Sequence, residues 1–283
     1  MAEPTAHPHA TEHGYAFPDA HAHAHAHGDG HAHDPNLAHH FEDMGQQRSS
    51  ASLGMWTFLG TEVMFFGGLI VSYLVYRFTS PDVWGAASKY GLNVTLGTIN
   101  TVVLLSSSLA MAMAVHSGET GDRGHQLRYL ALTLGLGLLF MGIKGYEYKE
   151  EYDHHLIPGP HFSTHALKLP DESHAATAAE TSRHAREAAE TVKTSSFLTV
   201  TPAQFVRQRA QMFFVFYFFM TGLHLLHMVV GIGLVSWVYM LARRGRFTAA
   251  YHTPLELTGL YWHFIDIVWV FLYPLLYLVA LHK

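Results

Sequence analysis

The sequence predicts an all-α fold, a polytopic membrane protein built as a bundle of five transmembrane helices. The first observation is the scarcity of charge: 14% of the 283 residues are charged, against roughly 25% in an ordinary soluble domain. The second is the abundance of apolar residues, with 49% hydrophobic and 13% aromatic. The third is their placement in five long segments that are almost free of charge, since a helix needs about 20 mostly apolar residues to cross a bilayer.

The composition also excludes several classes of function. The formal net charge of -5 removes the electrostatic basis for nucleic-acid binding, so we expect no nucleic-acid partner. The absence of cysteine excludes disulfides, thiolate zinc sites, iron–sulfur clusters, cysteine nucleophiles and a dinuclear copper site with bridging thiolates. The N-terminus lacks the basic start, apolar core and cleavage site of a signal peptide, so the first apolar segment is expected to be an uncleaved anchor.

Residues 1–50 form the first domain, a His/Ala-rich tail that is predicted to be disordered and cytoplasmic. Eleven of the 24 histidines lie before residue 41. An alternating run, His21, His23, His25 and His27, makes the tail a candidate for weak binding of transition metals. The alternative is a tail without a dedicated role, and this interpretation is favoured because a flexible segment holds no fixed ligand geometry.

Residues 51–283 form the membrane domain, with an external polar insertion at about 149–210. The first span, 55–78, contains the single acid Glu62, and the second, 92–115, is rich in small residues and is expected to be an interior helix. The third span, 127–148, is glycine-rich.

A possible surface helix at 171–194 lies in the insertion. The sequence Thr-Pro-Ala-Gln at 201–204 has the form of a helix start. It predicts a fourth span that runs from there to about 241, and a fifth span follows at 257–281.

The distribution of basic residues predicts the orientation. With five spans, the tail, the 117–126 loop and the 243–256 loop share one side. That side holds six arginines, Arg48, Arg123, Arg128, Arg243, Arg244 and Arg246, while the short segments of the other side hold Arg77, Lys89 and Lys283. We therefore expect a cytoplasmic N-terminus, an external insertion and an external C-terminus.

Ionisable side chains at membrane depth cost about 2.5 to 3.5 kcal/mol each, so each one needs an explanation. His224 and His227 share one face of the fourth span, and His263 and Asp266 share one face of the fifth. A His–Asp hydrogen bond between these helices is the favoured interpretation. Haem or metal ligation is less favoured, because two histidines on one helix and one on its neighbour do not supply two facing pairs.

Three further acids and bases lie in the first and third spans. Glu62 is either a proton-associated or lipid-contacting acid, or a structural acid that is hydrogen-bonded between helices. Lys144 and Glu147 are expected near an interface, where their side chains reach toward water.

Two segments closely resemble subunit III of the haem-copper oxidases, cytochrome c oxidase subunit III in particular. They are Thr-Gly-Leu-His-Leu-Leu-His at 221–227 and Tyr-Trp-His-Phe-Ile-Asp-Ile-Val-Trp at 261–269. Further similarities follow in the family's order. They are the membrane-acid motif at 62–66, the loop with a Gly-Asp-Arg core at 116–125, the Glu-Tyr pair at 147–148 and the acid Glu256 that opens the last helix. The chain resembles the five-helix form, which lacks the first two helices of the seven-helix form.

This resemblance implies a non-redox subunit that binds no cofactor itself, with haem and copper in partner subunits. It implies packing against subunits I and II of a bacterial plasma-membrane oxidase, support of proton uptake, and structural phospholipids in a cleft. It further implies that Glu62 is the family's membrane acid and that His224, His227, His263, Asp266 and Glu147 form one polar network. Arg123, Arg243 and Arg244 become candidates for lipid contact.

Several alternatives remain open at this point. A quinol-oxidase subunit III, or a relative associated with a nitric-oxide reductase, has the same architecture, and the electron donor is not encoded in this subunit. A divalent-metal transporter, suggested by the histidines of the tail, would need several converging ligands at mid-membrane. The insertion has no recognised counterpart and is expected to face a periplasmic partner.

Overall fold

The computed structural model describes residues 41–159, 162, 167, 202–248 and 251–278. The tail histidines His21, His23, His25 and His27, and the predicted helix at 171–194, lie outside the described residues. The described residues form six α-helices in chain order. They are α1 (Met44–Thr79), α2 (Pro81–Gly91), α3 (Val94–Glu119), α4 (Arg123–Asp153), α5 (Pro202–Arg243) and α6 (Thr253–Tyr273), which continues in a π-helical turn (Pro274–Leu278). Five of them are long and apolar enough to cross a membrane, which confirms the predicted all-α, five-span fold.

Helices α1, α3 and α4 begin at polar residues whose side chains accept backbone hydrogen bonds, and α2, α5 and α6 have a proline in their first turn. The Asp43 carboxylate accepts from the Gln46 amide at 2.6 Å, and the Asn93 side chain caps the start of α3. Helices α1 and α4 extend beyond their predicted apolar spans: α1 begins at Met44 and α4 runs from Arg123 to Asp153, whereas the predicted spans were 55–78 and 127–148.

Helix α2 is an 11-residue amphipathic helix that the sequence analysis missed. Its buried Trp84 ring lies 5.1 Å from the Tyr73 ring of α1. The Ser88 hydroxyl donates a 2.5 Å hydrogen bond to the Leu276 carbonyl. Leu276 lies in the π-helical turn, where i→i+5 hydrogen bonding replaces the α-helical pattern. Helix α2 therefore packs over the end of the bundle where α6 finishes.

Helix α6 is the most buried of the five spans. Its most apolar stretch is 56% buried, against 33% for α3 and 17% for α1. The second span was predicted to be an interior helix; α3 is the second most buried span and packs beside α4 and α6, and α6 lies at the centre. Two glycines permit this packing, because a Cβ on Gly137 would lie 2.8 Å from the Trp262 ring and one on Gly231 would lie 3.0 Å from Ile265 Cδ1.

Candidate functional site

The membrane acid Glu62 pairs with a histidine of α5. Its Oε2 lies 3.2 Å from His227 Nε2, and the two side chains remain 20% and 15% exposed. The other ring nitrogen, Nδ1, lies 2.9 Å from the Leu223 carbonyl, to which only a protonated nitrogen can donate. The contact between Nε2 and the carboxyl therefore needs one further proton, carried either by Glu62 or by the imidazole. The pair is a one-proton site at the edge of the bundle.

Aromatic side chains surround this pair on the protein side. The Phe66 ring lies 5.3 Å from the His227 ring, and the Tyr261 hydroxyl donates to the His227 carbonyl at 3.3 Å. These contacts bring α1, α5 and α6 together around a single hydrogen bond. They leave the outer side of the pair open.

A second polar group is centred on Lys144, which is fully buried, and Glu147, which is 2% exposed. Lys144 Nζ donates to Glu147 Oε2 at 3.0 Å, to Tyr277 OH at 2.8 Å and to Tyr217 OH at 3.2 Å. All three ammonium protons thus have acceptors. The expectation that Lys144 and Glu147 reach toward water was wrong, because these two tyrosines hold them inside the bundle.

Aromatic faces complete the environment of the ammonium group. Lys144 Nζ lies 5.1 Å from the ring centroid of Trp269 and 5.2 Å from that of Tyr217, within the range of cation–π attraction. The Tyr277 hydroxyl also donates to Glu147 Oε1 at 2.5 Å. The cluster therefore ties α4, α5 and the π-helical turn together.

Beside this cluster lies a half-open polar cavity of about 470 Å³ between the α2–α3 turn and the end of α4. Glu147, Glu150 and Glu151 contribute carboxyl groups to its wall, with Lys89 and His154 nearby. Glu151 is only 3% exposed, and neither of its carboxyl oxygens has a hydrogen-bond partner among the described residues. Sequence reasoning missed Glu151, whose only signal is its place one helical turn after Glu147.

The remaining predicted residues do not join one network. His263 Nδ1 lies 2.8 Å from the Ser108 hydroxyl of α3. The buried Asp266 carboxyl and both ring nitrogens of the buried His224 have no hydrogen-bond partner among the described residues. The predicted His–Asp hydrogen bond between α5 and α6 is therefore wrong. His224 instead packs between the Phe140 and Trp269 rings, at 5.7 and 5.2 Å.

An apolar cavity of about 520 Å³ separates the outer part of α6 from α1. Val63, Phe66 and Gly67 of α1 line it, together with Phe264 and Val268 of α6. An apolar groove of this size, open on one side at membrane depth, fits a hydrocarbon chain.

Polar contacts join the connections at one end of the bundle. The Arg123 guanidinium donates to the Ala242 carbonyl at 3.1 Å and also to the Arg243 carbonyl. Arg48, at the start of α1, forms a 2.5 Å ion pair with Glu256, at the start of α6. The start of α1, the α3–α4 turn and the α5–α6 connection therefore share one end, as predicted. Arg123 is engaged with backbone carbonyls, while Arg244 is exposed in the turn that follows α5.

Comparison with known proteins adds an independent observation. The family model of cytochrome c oxidase subunit III matches residues 38–154 and 194–281. A probable cytochrome c oxidase subunit 3 of Mycobacterium leprae is 30% identical over 230 residues, which cover 81% of this chain and 87% of that protein. The cytochrome c oxidase subunit 3 of Thermostichus vulcanus is 27% identical over 233 residues, with the same shares covered. Residues 155–193, between the two matched segments, lie inside the polar insertion, and residues 1–37 of the tail are also unmatched.

Proposed function

The chain belongs to the cytochrome c oxidase subunit III family, and from that membership we propose that it is the accessory, non-redox subunit III of a proton-pumping cytochrome c oxidase. Membership itself makes the chain one subunit of a respiratory oxidoreductase complex in a membrane, associated with other oxidase subunits. The finer proposal assigns haem and copper to the partner subunits I and II. It assigns stabilisation of the catalytic subunit and support of proton uptake to this chain.

The contacts of the intramembrane histidines support the non-redox role. His227 is engaged by Glu62 and the Leu223 carbonyl, and His263 by Ser108. His224 is enclosed by aromatic rings. A haem held between two helices needs two imidazoles that face one another, whereas these three side chains point to three different environments.

The exposed face of α1 supports an accessory role in a larger assembly. Trp56, Val63 and Met64 are 61%, 58% and 77% exposed, and α1 is the least buried span. In a membrane such a face is covered by lipid or by another subunit. Glu62 lies beside Val63 and Met64, so the lipid or subunit that covers this face would also contact the Glu62–His227 pair.

The Glu62–His227 pair is the single observation that carries the proton-uptake proposal. A carboxyl and an imidazole that share one proton at membrane depth can accept a second proton and release it again. On the proposed orientation, with the N-terminus in the cytoplasm, Glu62 lies near the middle of α1 (Met44–Thr79), so the pair would receive protons at mid-membrane. The donor of electrons is proposed to be cytochrome c, in keeping with the names of the relatives.

We further propose that phospholipids fill the apolar cavity between α1 and α6, with Arg123, Arg243 and Arg244 at the end where headgroups would lie. The insertion at about 149–210 would contact a periplasmic partner on the opposite side.

Gentle purification of the chain from its native membrane tests the proposal. We expect co-purification with a large haem-bearing subunit, and loss of the haem spectrum when harsher detergent isolates this chain. Haem that stayed with the isolated chain would contradict the proposal and would make His224, His227 and His263 ligands.

A further inference from the structure

We propose that Glu119, His252 and Glu256 form a binding site for a divalent transition-metal ion, with Zn²⁺ as its representative. This site is separate from the Glu62–His227 pair and does not depend on the proposed role in proton uptake. It lies at the end of the bundle that holds Arg48 and the α3–α4 turn.

The first argument is geometric. One ligand atom from each of the three side chains lies within 4.8 Å of the others. His252 Nε2 and Glu256 Oε1 are already 3.1 Å apart. In a tetrahedral Zn²⁺ site with bonds of about 2.0 to 2.1 Å, neighbouring ligand atoms are about 3.3 Å apart. The half-exposed Glu119 therefore needs only a side-chain rotation to close the set.

The second argument is chemical. Imidazole nitrogen and carboxylate oxygen are both Zn²⁺ ligands in proteins, and a site with three protein ligands keeps water in the fourth position. A further imidazole is close by, because His116 Nδ1 lies 3.6 Å from Glu119 Oε2. The site thus offers three ligands, and His116 is placed to become a fourth.

Buried polar atoms beside the cluster point the same way. His252 is only 7% exposed, and its Nδ1 has no hydrogen-bond partner among the described residues. The amide nitrogen of the buried Gln126 also has none. Gln126 Nε2 and His252 Cβ lie 3.3 and 3.9 Å from the point where a Cβ on Gly118 would be. If the Gln126 side chain turned its amide oxygen toward His252, that oxygen could accept a hydrogen bond from Nδ1–H of His252. The Nε2 atom of His252 would then be free to bind a metal, as in metal sites where a second residue holds the ligating histidine.

Arg48 makes the site conditional. Its guanidinium already supplies a positive charge to Glu256 at 2.5 Å, with the two side chains 54% and 22% exposed. A metal ion and Arg48 compete for the same carboxylate. Binding of the metal would therefore replace the tether between α1 and α6 with a link between the end of α3 and the start of α6.

The test measures Zn²⁺ bound to the purified oxidase complex by equilibrium dialysis and elemental analysis. The full-length chain carries alanine at the eleven histidines that precede residue 41, so that the tail does not contribute. We expect His252→Gln and Glu119→Gln each to remove one equivalent of tightly bound Zn²⁺. Arg48→Gln should tighten binding by up to about fivefold, the energy of one exposed ion pair.

The matched control is His125→Asn. His125 and Asp122 form an exposed acid–histidine pair at 2.6 Å in the neighbouring turn, so its loss should leave the number of bound ions unchanged. Equal Zn²⁺ binding by the parent and by His252→Gln would overturn the proposal. If His252→Gln fails to assemble, the Glu119→Gln complex decides, because an unchanged number of bound Zn²⁺ ions there also rejects the site. Neither readout depends on oxygen reduction, so failure of the metal site is distinguishable from failure of the proposed function.

Discussion

At the scale of single residues, the hydrogen-bond partner of each ionisable group in the membrane determines its chemistry. Glu62 has an imidazole partner, His227. Glu147 accepts hydrogen bonds from Lys144 and from the hydroxyl groups of Tyr217 and Tyr277. The two carboxyl groups therefore have different surroundings: Glu62 meets one imidazole at the edge of the bundle, and Glu147 lies among a buried ammonium group and two tyrosines.

Replacement of Glu62 by glutamine tests the proton-exchanging role. The amide keeps a donor toward His227 Nε2 but no longer releases a proton. We expect slower steady-state oxygen reduction at high pH, where bulk protons are scarce, with unchanged haem spectra. The measurement is the oxygen-consumption rate across the pH range, compared with the unmodified complex. Unchanged rates at every pH would leave Glu62 a structural acid.

Replacement of Lys144 by methionine tests the structural role of the second carboxyl. The change leaves Glu147 buried without its cation, and breaking a buried pair costs about 3 to 5 kcal/mol. We expect a lower midpoint temperature for dissociation of this subunit from the complex, measured in a thermal ramp with subunit analysis.

The double variant Lys144→Met with Glu147→Gln is the matched control. It removes both charges, so it should recover part of the lost stability. If Lys144→Met were as stable as the parent, the cluster would carry no structural role.

At the scale of elements, close helix packing depends on glycines at a few positions. In α4, Gly137 faces the Trp262 ring of the central helix, while Gly145 has nothing within 4 Å of its missing Cβ. A glycine is therefore required for packing on one face of α4 and is not required on the other. The Gly137 face is the one against which the Trp262 ring of α6 packs.

Alanine substitution separates the two faces. Gly137→Ala places a Cβ 2.8 Å from an indole carbon, and such overpacking costs about 1 to 3 kcal/mol. Gly145→Ala should be neutral or slightly stabilising, because alanine favours helix by up to about 1 kcal/mol over glycine. The thermal stability of the two variant complexes checks this, and equal destabilisation by both would contradict the packing.

The turn between α3 and α4 illustrates how an element end is held. The backbone N–H and the imidazole ring of His125 both hydrogen-bond to the Asp122 carboxylate. These bonds keep the pKa of that carboxyl below its usual value. The next residue, Arg123, donates to carbonyls at the end of α5. The Gly-Asp-Arg core thus caps one helix and ties it to another.

At the scale of the whole molecule, α1 is the element that most needs a neighbour. Its apolar outer face, the cavity toward α6 and the one-proton pair all lie on the same side of the bundle. The central helix α6 is enclosed on its other sides by α3 and α5, and α2 packs against the π-helical turn at its end. This asymmetry is expected of one subunit in a larger membrane assembly.

The orientation in the membrane can be tested because the chain contains no cysteine. A single cysteine at the exposed Thr120, in the α3–α4 turn, should react with a membrane-impermeant maleimide only after cells are permeabilised. A single cysteine at the exposed Pro81, at the opposite end, should react in intact cells. The reverse pattern would invert the predicted topology.

Much of the candidate site was predictable, and its pairings were not. Glu62 and His227 stand out in the sequence because charge is expensive in hydrocarbon. Their contact was not predicted, because both Glu62 and Asp266 were available to the histidines, and only the rotation of each helix decides between them. Lys144 was assigned to an interface because the two tyrosines that enclose it are more than 70 residues away in the chain.

The sequence by itself determined the number of spans, their order and the shared side of the Arg-rich loops, because the cost of placing charge or unpaired backbone polar groups in lipid acts on each segment separately. Its short motifs identified the family. Tertiary structure decided what depends on the faces of several helices at once. It made α6 rather than α3 central, buried Lys144, separated His224 from Asp266, and brought Glu119 to His252 and Glu256. These outcomes follow from helix rotation and close packing, which no single segment encodes.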